Sequence, residues 1–173
     1  MLFVDQSDVG LYPKVGSGWW PSGKQDKVRT QGKNQKTYLF GALDAHSQEL
    51  HVGFWPRKDS VAFVDFLRGL LTGLRDGEIH LILDNYIVHK SRYTQAFLAT
   101  EEARRLHLHF LPTYSPWLNP IEITWRIVKT RAGTNQWRDS LDRVHADFSE
   151  TLTHLGARLM APSPYYAQSQ GTT

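Results

Sequence analysis

The spacing of Pro112, Pro116 and Pro120 constrains this chain more than any other feature of its sequence. Each proline removes a backbone donor and fixes φ, so the segment that contains them is predicted to be a loop. Asn119 is a good N-cap and Pro120 suits the first helical position, which predicts that a helix begins there. Glu122 then stands where it could complete a pair resembling a capping box.

The predicted helix after this loop has an apolar stripe. Ile121, Trp125 and Val128 recur at helical spacing, which predicts a face packed against a core. Glu122 lies about 100° from Ile121, at the edge of that stripe. From this pattern alone two interpretations of Glu122 stay open: a helix-capping residue, or a carboxylate directed at a functional site.

Two further carboxylates follow short apolar runs that are typical of buried strands. The runs LFVD and HLILD end in Asp5 and Asp84. Continuous apolar runs favour strands covered on both faces, as in a parallel or mixed sheet flanked by helices. Ligands bind beyond the carboxyl ends of such strands. We therefore expect Asp5, Asp84 and Glu122 to form a cage for a hard metal ion, with Asp8 as a competitor for the place of Asp5.

Asp5, the pair Asp84-Asn85 followed by His89, and SPWLNPIE at 115–122 resemble the catalytic domain of DDE transposases. Within that family, these residues resemble the mariner-related group, which includes many bacterial insertion sequences. Of these features the SP-x-LNP-x-E signature is fairly specific, whereas a lone D-N pair is weak. The resemblance implies a ribonuclease-H-like fold and a metal-dependent enzyme that cleaves DNA and transfers strands.

The resemblance covers about residues 2–133 and also implies the chemistry of the site. Two Mg²⁺ or Mn²⁺ ions would be bridged by Asp5, and Asp84 and Glu122 would each complete one ion site. The chain departs from the family pattern at Gln6, where an acidic residue is common. This departure removes none of the expected ligands.

Several other residues are secondary candidates at the same site. Asn85, His89 and Asn119 would orient water or phosphate, but a turn, an ordinary histidine among eight and a helix cap explain them equally simply. Arg126 and Lys129 are candidate phosphate contacts on the predicted helix. They could also belong to a solvated helix face.

The segment 14–36 is predicted to be either a nucleic-acid clamp or a solvated hairpin loop. It holds six Lys or Arg residues and one acidic residue, interleaved with tryptophans and glycines. Cations neutralise phosphates and aromatic rings stack on exposed bases, which favours the clamp. The candidate DNA-binding residues of this segment are Lys14, Trp19, Trp20, Lys24, Lys27, Arg29, Lys33 and Lys36.

The apolar patterns predict the order strand, strand, strand, helix, strand, helix, strand, helix. This is the order of an α/β, ribonuclease-H-like domain with a mixed five-stranded sheet flanked by helices. Asp44 also ends a predicted strand, but DAHSQ favours a turn, so Asp44 is interpreted as a turn residue. We expect a catalytic domain at 1–135, a helix packed on it within 136–160, and a disordered tail at 161–173.

Composition limits the classes of protein to which the chain can belong. Its 173 residues, 40% of them apolar, suit one domain with a core, and the absence of cysteine excludes disulfides and thiolate metal sites. The net charge is +3 and the pI is about 9.2, which leaves room for a polyanionic partner. Without a transmembrane-length apolar stretch or a secretion signal, the expected location is the cytoplasm, in association with the nucleoid.

The expected partners are DNA at the ends of a mobile element and target DNA. Family members carry helix-turn-helix units ahead of the catalytic domain, whereas here Asp5 comes at once. We therefore expect a homodimer, or a recognition region that is encoded separately or missing. The chain would be a truncated form, the second frame of a split gene or a decayed copy. Two other functions stay open: a different metal-dependent nuclease on this fold, and an inactive DNA-binding remnant.

Overall fold

The computed structural model describes residues 1–13, 15, 16, 21–24, 27, 35–164 and 166. The predicted clamp residues Lys14, Trp19, Trp20, Arg29 and Lys33 lie outside the described residues.

Six strands and four α-helices make up the described part of the chain. The strands are β1 (Leu2–Gly10), β2 (Lys36–Asp44), β3 (Leu50–Trp55), β4 (Ile79–Leu83), β5 (Leu106–Phe110) and β6 (Arg158–Met160). The α-helices are α1 (Ser60–Gly73), α2 (Arg92–Leu98), α3 (Ile121–Gly133) and α4 (Leu141–His154). Short 3₁₀ turns cover Ile87–Lys90, Glu101–Ala103 and Pro116–Leu118.

The strands form one mixed sheet in the order β5-β4-β1-β2-β3-β6. β1, β2 and β3 pair antiparallel, whereas β1 with β4, β4 with β5 and β3 with β6 pair in parallel. The predicted mixed α/β sheet flanked by helices is confirmed, but the sheet has a sixth strand. β6 is only three residues long, so it is too short to produce a recognisable hydrophobic period.

Helices cover both faces of the sheet. On one face α1 and α2 contribute Phe63, Phe66 and Phe97 to a core that includes Leu81 of β4. On the other face α3 and α4 pack over β1–β3, and this second core contains the predicted stripe Ile121, Trp125 and Val128. Burial of this stripe holds α3, and with it Glu122, in a set orientation on the sheet.

The chain after α4 returns to α1. Asp65 is buried in α1, where its Oδ2 accepts hydrogen bonds from Trp55 Nε1 at 2.9 Å and from the backbone nitrogen of Ser163 at 3.0 Å. Tyr166 is buried as well. A buried carboxylate needs such donors, so these contacts hold residue 163 against α1. Of the tail predicted to be disordered at 161–173, the structure describes only residues 161–164 and 166. The remaining tail lies outside the described residues.

No α-helix in the part of the chain that the structure describes combines the length and the apolar character needed to cross a bilayer.

Candidate active site

The parallel pairing of β1 with β4 brings Asp5 and Asp84 together. Phe3 lies opposite Ile82, and continuing this register by two residues brings Asp5 level with Asp84. β4 ends at Leu83, whereas β1 continues past Asp5 because β2 pairs with it along its whole length. The prediction that Asp5 ends its strand was therefore wrong. Asp5 reaches the site because its neighbouring strand ends there.

Asn119 fastens the start of α3 to β1 beside Asp5. Its side chain is buried, and its Nδ2 donates to the carbonyl oxygen of Val4 at 3.1 Å. Its Oδ1 accepts from the backbone nitrogen of Ile121 at 3.4 Å. Because both ends of the amide are used, Asn119 sets the distance between β1 and the first turn of α3.

The helix start differs from the prediction by one residue. α3 begins at Ile121 with Pro120 as its N-cap, so Glu122 is its second residue. The Asn119 side chain still accepts from the backbone nitrogen of Ile121, as a capping residue does. The capping-box-like role of Glu122 was wrong, because the backbone nitrogen of Asn119 already donates to the carbonyl oxygen of Pro116 at 3.0 Å. The Glu122 side chain is exposed and free to act elsewhere.

The three predicted carboxylates line one pocket of about 270 Å³. Asp5, Asp84 and Glu122 form its acidic side, and the proline loop from 111 to 116 forms the opposite wall. Among the described residues, no three His, Asp or Glu side chains lie close enough to hold a metal ion as they stand. The carboxylates therefore share a pocket without forming a preorganised metal cluster.

The environment of Asp5 disfavours its negative charge. Burial, and then repulsion from the charge of Glu122, raise the pKa of Asp5 to about 6. Lys58 acts in the opposite direction, and Trp125 Nε1 donates a hydrogen bond to Asp5 Oδ2 at 2.9 Å. The Trp125 indole is buried in the core between α3 and the sheet. Because the ring is held there, its hydrogen bond fixes the orientation of the Asp5 carboxylate.

Asp84 is held in its charged form by His89. The hydrogen bond with His89 lowers the pKa of Asp84, and the backbone nitrogen of Tyr86 donates to its Oδ1 at 3.0 Å. His89 Nδ1 lies 3.2 Å from Oδ1 of Asp84 and 3.1 Å from its carbonyl oxygen. Since only acceptors face this nitrogen, it carries the proton. His89 Nε2 then accepts from Gln6 Nε2 at 2.8 Å.

His89 is thus a buried link between the two strands that carry aspartates. Its ring is almost inaccessible and packs on Phe63 with ring centroids 4.5 Å apart. Gln6, where the family resemblance leads us to expect an acid, is the residue that completes this link from β1. The amide of Gln6 therefore has a defined structural partner.

Asn85 holds the proline loop against the end of β4. Its Nδ2 donates to the carbonyl oxygen of Leu111 at 2.6 Å, and its Oδ1 accepts from Lys90 at 2.5 Å. With both amide atoms engaged, Asn85 shapes the pocket that it lines. The sequence predicts that Asn85 either forms a turn or orients water or phosphate. It does not predict that Asn85 anchors the proline loop.

Lysines lie near the predicted carboxylates, since Lys58 and Lys129 line a neighbouring pocket that also contains Asp5, Asp84 and Glu122. Lys129 and Lys36 lie 3.6 Å and 3.1 Å from the carboxylate oxygens of Asp8. Although burial acts against it, these lysines lower the pKa of Asp8, so this competitor for the place of Asp5 already has two cationic partners. Arg126 is exposed on α3. Of the clamp candidates in the described part of the chain, Lys24 and Lys27 are also exposed.

Lys58 is a residue of the site that sequence reasoning missed. It lies between β3 and α1, its charge acts on both Asp5 and Asp84, and its Nζ lies 4.4 Å from the centre of the Tyr86 ring. No motif includes it. The only signal was a positive residue shortly after a buried strand, which is common on protein surfaces.

Comparison with known proteins gives a family model and one curated relative. Residues 1–144 match the model described as DDE superfamily endonuclease. The chain is 38% identical over 127 residues to the insertion element IS630 uncharacterized 39 kDa protein of Shigella sonnei. That alignment covers 73% of this chain and 36% of the relative, so the chain spans about a third of the relative's length.

Solved structures with similar folds come from transposases and integrases. The Mos1 transposase paired-end complex with the left transposon end matches with a TM-score of 0.65 at 18% identity, over 88% of this chain and 47% of that one. The Mos1 mariner paired-end complex with Mn gives 0.66 at 18% identity, over the same shares of the two chains. The HTLV-2 integrase catalytic core domain with magnesium gives 0.55 at 18% identity, over 89% and 84%. At these identities the similarity establishes the ribonuclease-H-like fold.

Proposed function

This chain belongs to the DDE superfamily of endonucleases, and on that premise we propose that it is a transposase catalytic domain. It cleaves a DNA strand at the end of a mobile element and joins the new 3′ end to target DNA. The observation that carries the proposal is the shared pocket of Asp5, Asp84 and Glu122. These residues come from β1, β4 and α3, which are far apart in the chain.

The donor set of this pocket suits divalent magnesium or manganese. Carboxylate oxygens are the ligands that both ions prefer, and the mutual repulsion of Asp5 and Glu122 is the kind of electrostatic strain that a bound cation relieves. Asp5, Asp84 and Glu122 would hold the ions. Glu122 and Asp84 are exposed, so their carboxylate oxygens are accessible to an ion from solvent.

Bound divalent ions would supply the activation of water or a 3′-hydroxyl and the stabilisation of the leaving oxygen. The residues of the chain supply position. Trp125 orients Asp5, and His89 keeps Asp84 ionised and directed. Asn119 holds the start of α3 near β1. Lys58, Arg126 and Lys129 would neutralise the phosphates of the bound strand.

The proposed substrates are the ends of a mobile element and a target duplex. The similar Mos1 structures are paired-end complexes, one of them with the left transposon end. We therefore propose that this chain works as a homodimer, or with a DNA-recognition region outside it. The proposed place of action is the cytoplasm, on the nucleoid.

Strand cleavage and strand transfer test this function directly. Supercoiled plasmid reports nicking, and a duplex with a pre-cut 3′ end reports joining, each with Mn²⁺, Mg²⁺ or EDTA. We expect both reactions with the divalent ions and neither in EDTA. Asp84→Asn should abolish both, while the matched control Asp44→Asn retains them. Full activity of Asp84→Asn would contradict the proposal.

A further inference from the structure

The proline loop exposes large aromatic side chains beside the acidic pocket. The Tyr114 side chain is 89% exposed and Trp117 is 76% exposed. Tyr114 adopts φ of 58°, in the left-handed region that residues other than glycine seldom occupy. Of the four tryptophans in the described part of the chain, Trp55 and Trp125 are buried in the two cores. Trp117, by contrast, presents its indole to solvent.

Trp117 forms one wall of a groove, which we call the α3 groove. Trp117 and Ile123 give it an apolar side, and Arg126 and Lys129 give it a cationic side. Its volume is about 630 Å³ and it is open to solvent. Glu122 lines both this groove and the acidic pocket, so the groove leads directly to the proposed site of cleavage.

This combination of walls fits one strand of nucleic acid. The cationic side neutralises phosphates, and the flat indole offers a surface on which a base can stack. Bases inside a duplex are already stacked on their neighbours, so an exposed indole gains a partner only where a base is unpaired or at an end.

We propose that Trp117 stacks on an unpaired base of the DNA strand that lies in the α3 groove. The proposal rests on the proposed function, because that strand carries the phosphate presented to Asp5, Asp84 and Glu122. Stacking next to this phosphate would hold the strand open and in register while it is cleaved or joined. Recognition of this kind depends on strand separation and is largely independent of sequence.

Binding measured in EDTA separates this proposal from cleavage. Fluorescence anisotropy would compare a labelled 20-nucleotide thymidine strand with a labelled blunt duplex of the same length. We expect Trp117→Ala to weaken binding of the single strand about tenfold and to leave duplex binding nearly unchanged. Trp117→Phe should retain most of the affinity, because a phenyl ring still stacks.

The salt dependence of DNA binding distinguishes base stacking by Trp117 from contacts between cationic side chains and phosphates. Trp117→Ala should leave the slope of log K against log salt unchanged, because no phosphate contact is lost. Arg126→Ala should reduce that slope by about 0.7 for the single strand. Trp137→Ala is the matched control, since Trp137 is also exposed, at 49%, but does not line the groove. It should change neither the affinity nor the slope.

Three results would overturn the proposal. The first is single-strand affinity of Trp117→Ala equal to that of the wild type, and the second is an equal loss for strand and duplex. The third is a change from dimer to monomer by sedimentation in Trp117→Ala, which would make this face a contact between copies of the chain. Absence of cleavage by the wild type would instead count against the proposed function and leave the EDTA binding result intact.

Discussion

The two ends of the sheet each carry aspartates that follow apolar runs, but their surroundings differ. At one end Asp44 is the last residue of β2, and its Oδ1 accepts from the backbone nitrogens of His46 at 2.7 Å and Ser47 at 2.9 Å. Although burial opposes them, these bonds lower the pKa of Asp44. At the other end burial and the charge of Glu122 raise the pKa of Asp5 to about 6.

The difference follows from strand direction. β2 runs antiparallel to β1, so Asp44 lies opposite Leu2, at the end of the sheet where β1 begins. β4 runs parallel to β1, so Asp84 arrives level with Asp5. The turn at Asp44 satisfies its own carboxylate, whereas the charges at Asp5 and Glu122 repel each other. A repulsive, partly buried carboxylate pair is the arrangement that indicates a functional site.

The largest expected effect is on catalysis by Glu122→Gln. If Glu122 is an ion ligand, the loss of its charge should reduce Mg²⁺-dependent strand cleavage by about 10²- to 10³-fold. The thermal midpoint of the Glu122→Gln variant without metal should hardly differ from that of the wild type, because Gln has nearly the helix propensity of Glu. The plasmid nicking assay and thermal unfolding in EDTA measure the two effects. Wild-type cleavage by this variant would leave Glu122 without a catalytic role.

The next effect concerns stability at the acidic end. In EDTA at pH 7, Asp5→Asn should raise the free energy of unfolding by about 2 kcal/mol, because it removes a charge that the folded state disfavours. The pKa of Asp5 is about 6 in the folded protein, against the ordinary value of 3.8 for an aspartate, so the folded protein binds the proton more tightly. Its contribution to stability is present below 3.8 and is lost as pH rises through about 6.

Urea unfolding from pH 3.5 to pH 7.5 measures this dependence. The Asn side chain keeps an oxygen to accept from Trp125 Nε1, so the comparison isolates the charge. We expect the fall in stability between these limits to be smaller in Asp5→Asn than in the wild type. Destabilisation by Asp5→Asn at pH 7 would show that the carboxylate is not strained.

At the end of the sheet that carries Asp44, replacing the aspartate by asparagine should change the free energy of unfolding in the opposite direction. Asp44→Asn should lower the free energy of unfolding at pH 7 by about 1 kcal/mol or less, since it weakens two hydrogen bonds to a partly solvated charge. The pKa of Asp44 is lowered, so its contribution is present above 3.8 and is lost as pH falls below that value. The same urea series at pH 7 and pH 3 measures it. A gain in stability at pH 7 would remove the contrast between the two ends.

The smallest effect concerns cations near the two ends. Lys58 acts on the acidic pocket, whereas Arg104 precedes β5 at the opposite end and lies 3.3 Å from Glu101. Lys58→Ala should reduce the slope of log K against log salt for duplex DNA by about 0.9, because one phosphate contact is lost. Arg104→Ala should not change it. Equal slopes for the two variants would show that Lys58 does not contact DNA.

Local patterns in the sequence were sufficient for the five longer strands and for the candidate carboxylates, but not for the three-residue β6. Hydrophobic periodicity placed the strands and helices, because alternating or stripe-like burial is a property of each segment by itself. The proline spacing and the SPWLNPIE segment located the loop and α3 within one residue of the observed start. The apolar runs and this segment also single out the carboxylates of Asp5, Asp84 and Glu122.

Only the tertiary structure decided how these residues meet. Gln6 and His89 are 83 positions apart, and Asn119 and Val4 are 115 positions apart. Such contacts depend on the order of the strands and on which of two neighbouring strands ends first. Neither property leaves a periodic signal in the sequence. The same holds for Lys58, whose position beside Asp5 and Asp84 follows from the loop before α1. The sequence determined the chemical groups of the site, and the packing of distant segments determined their charge states and orientations.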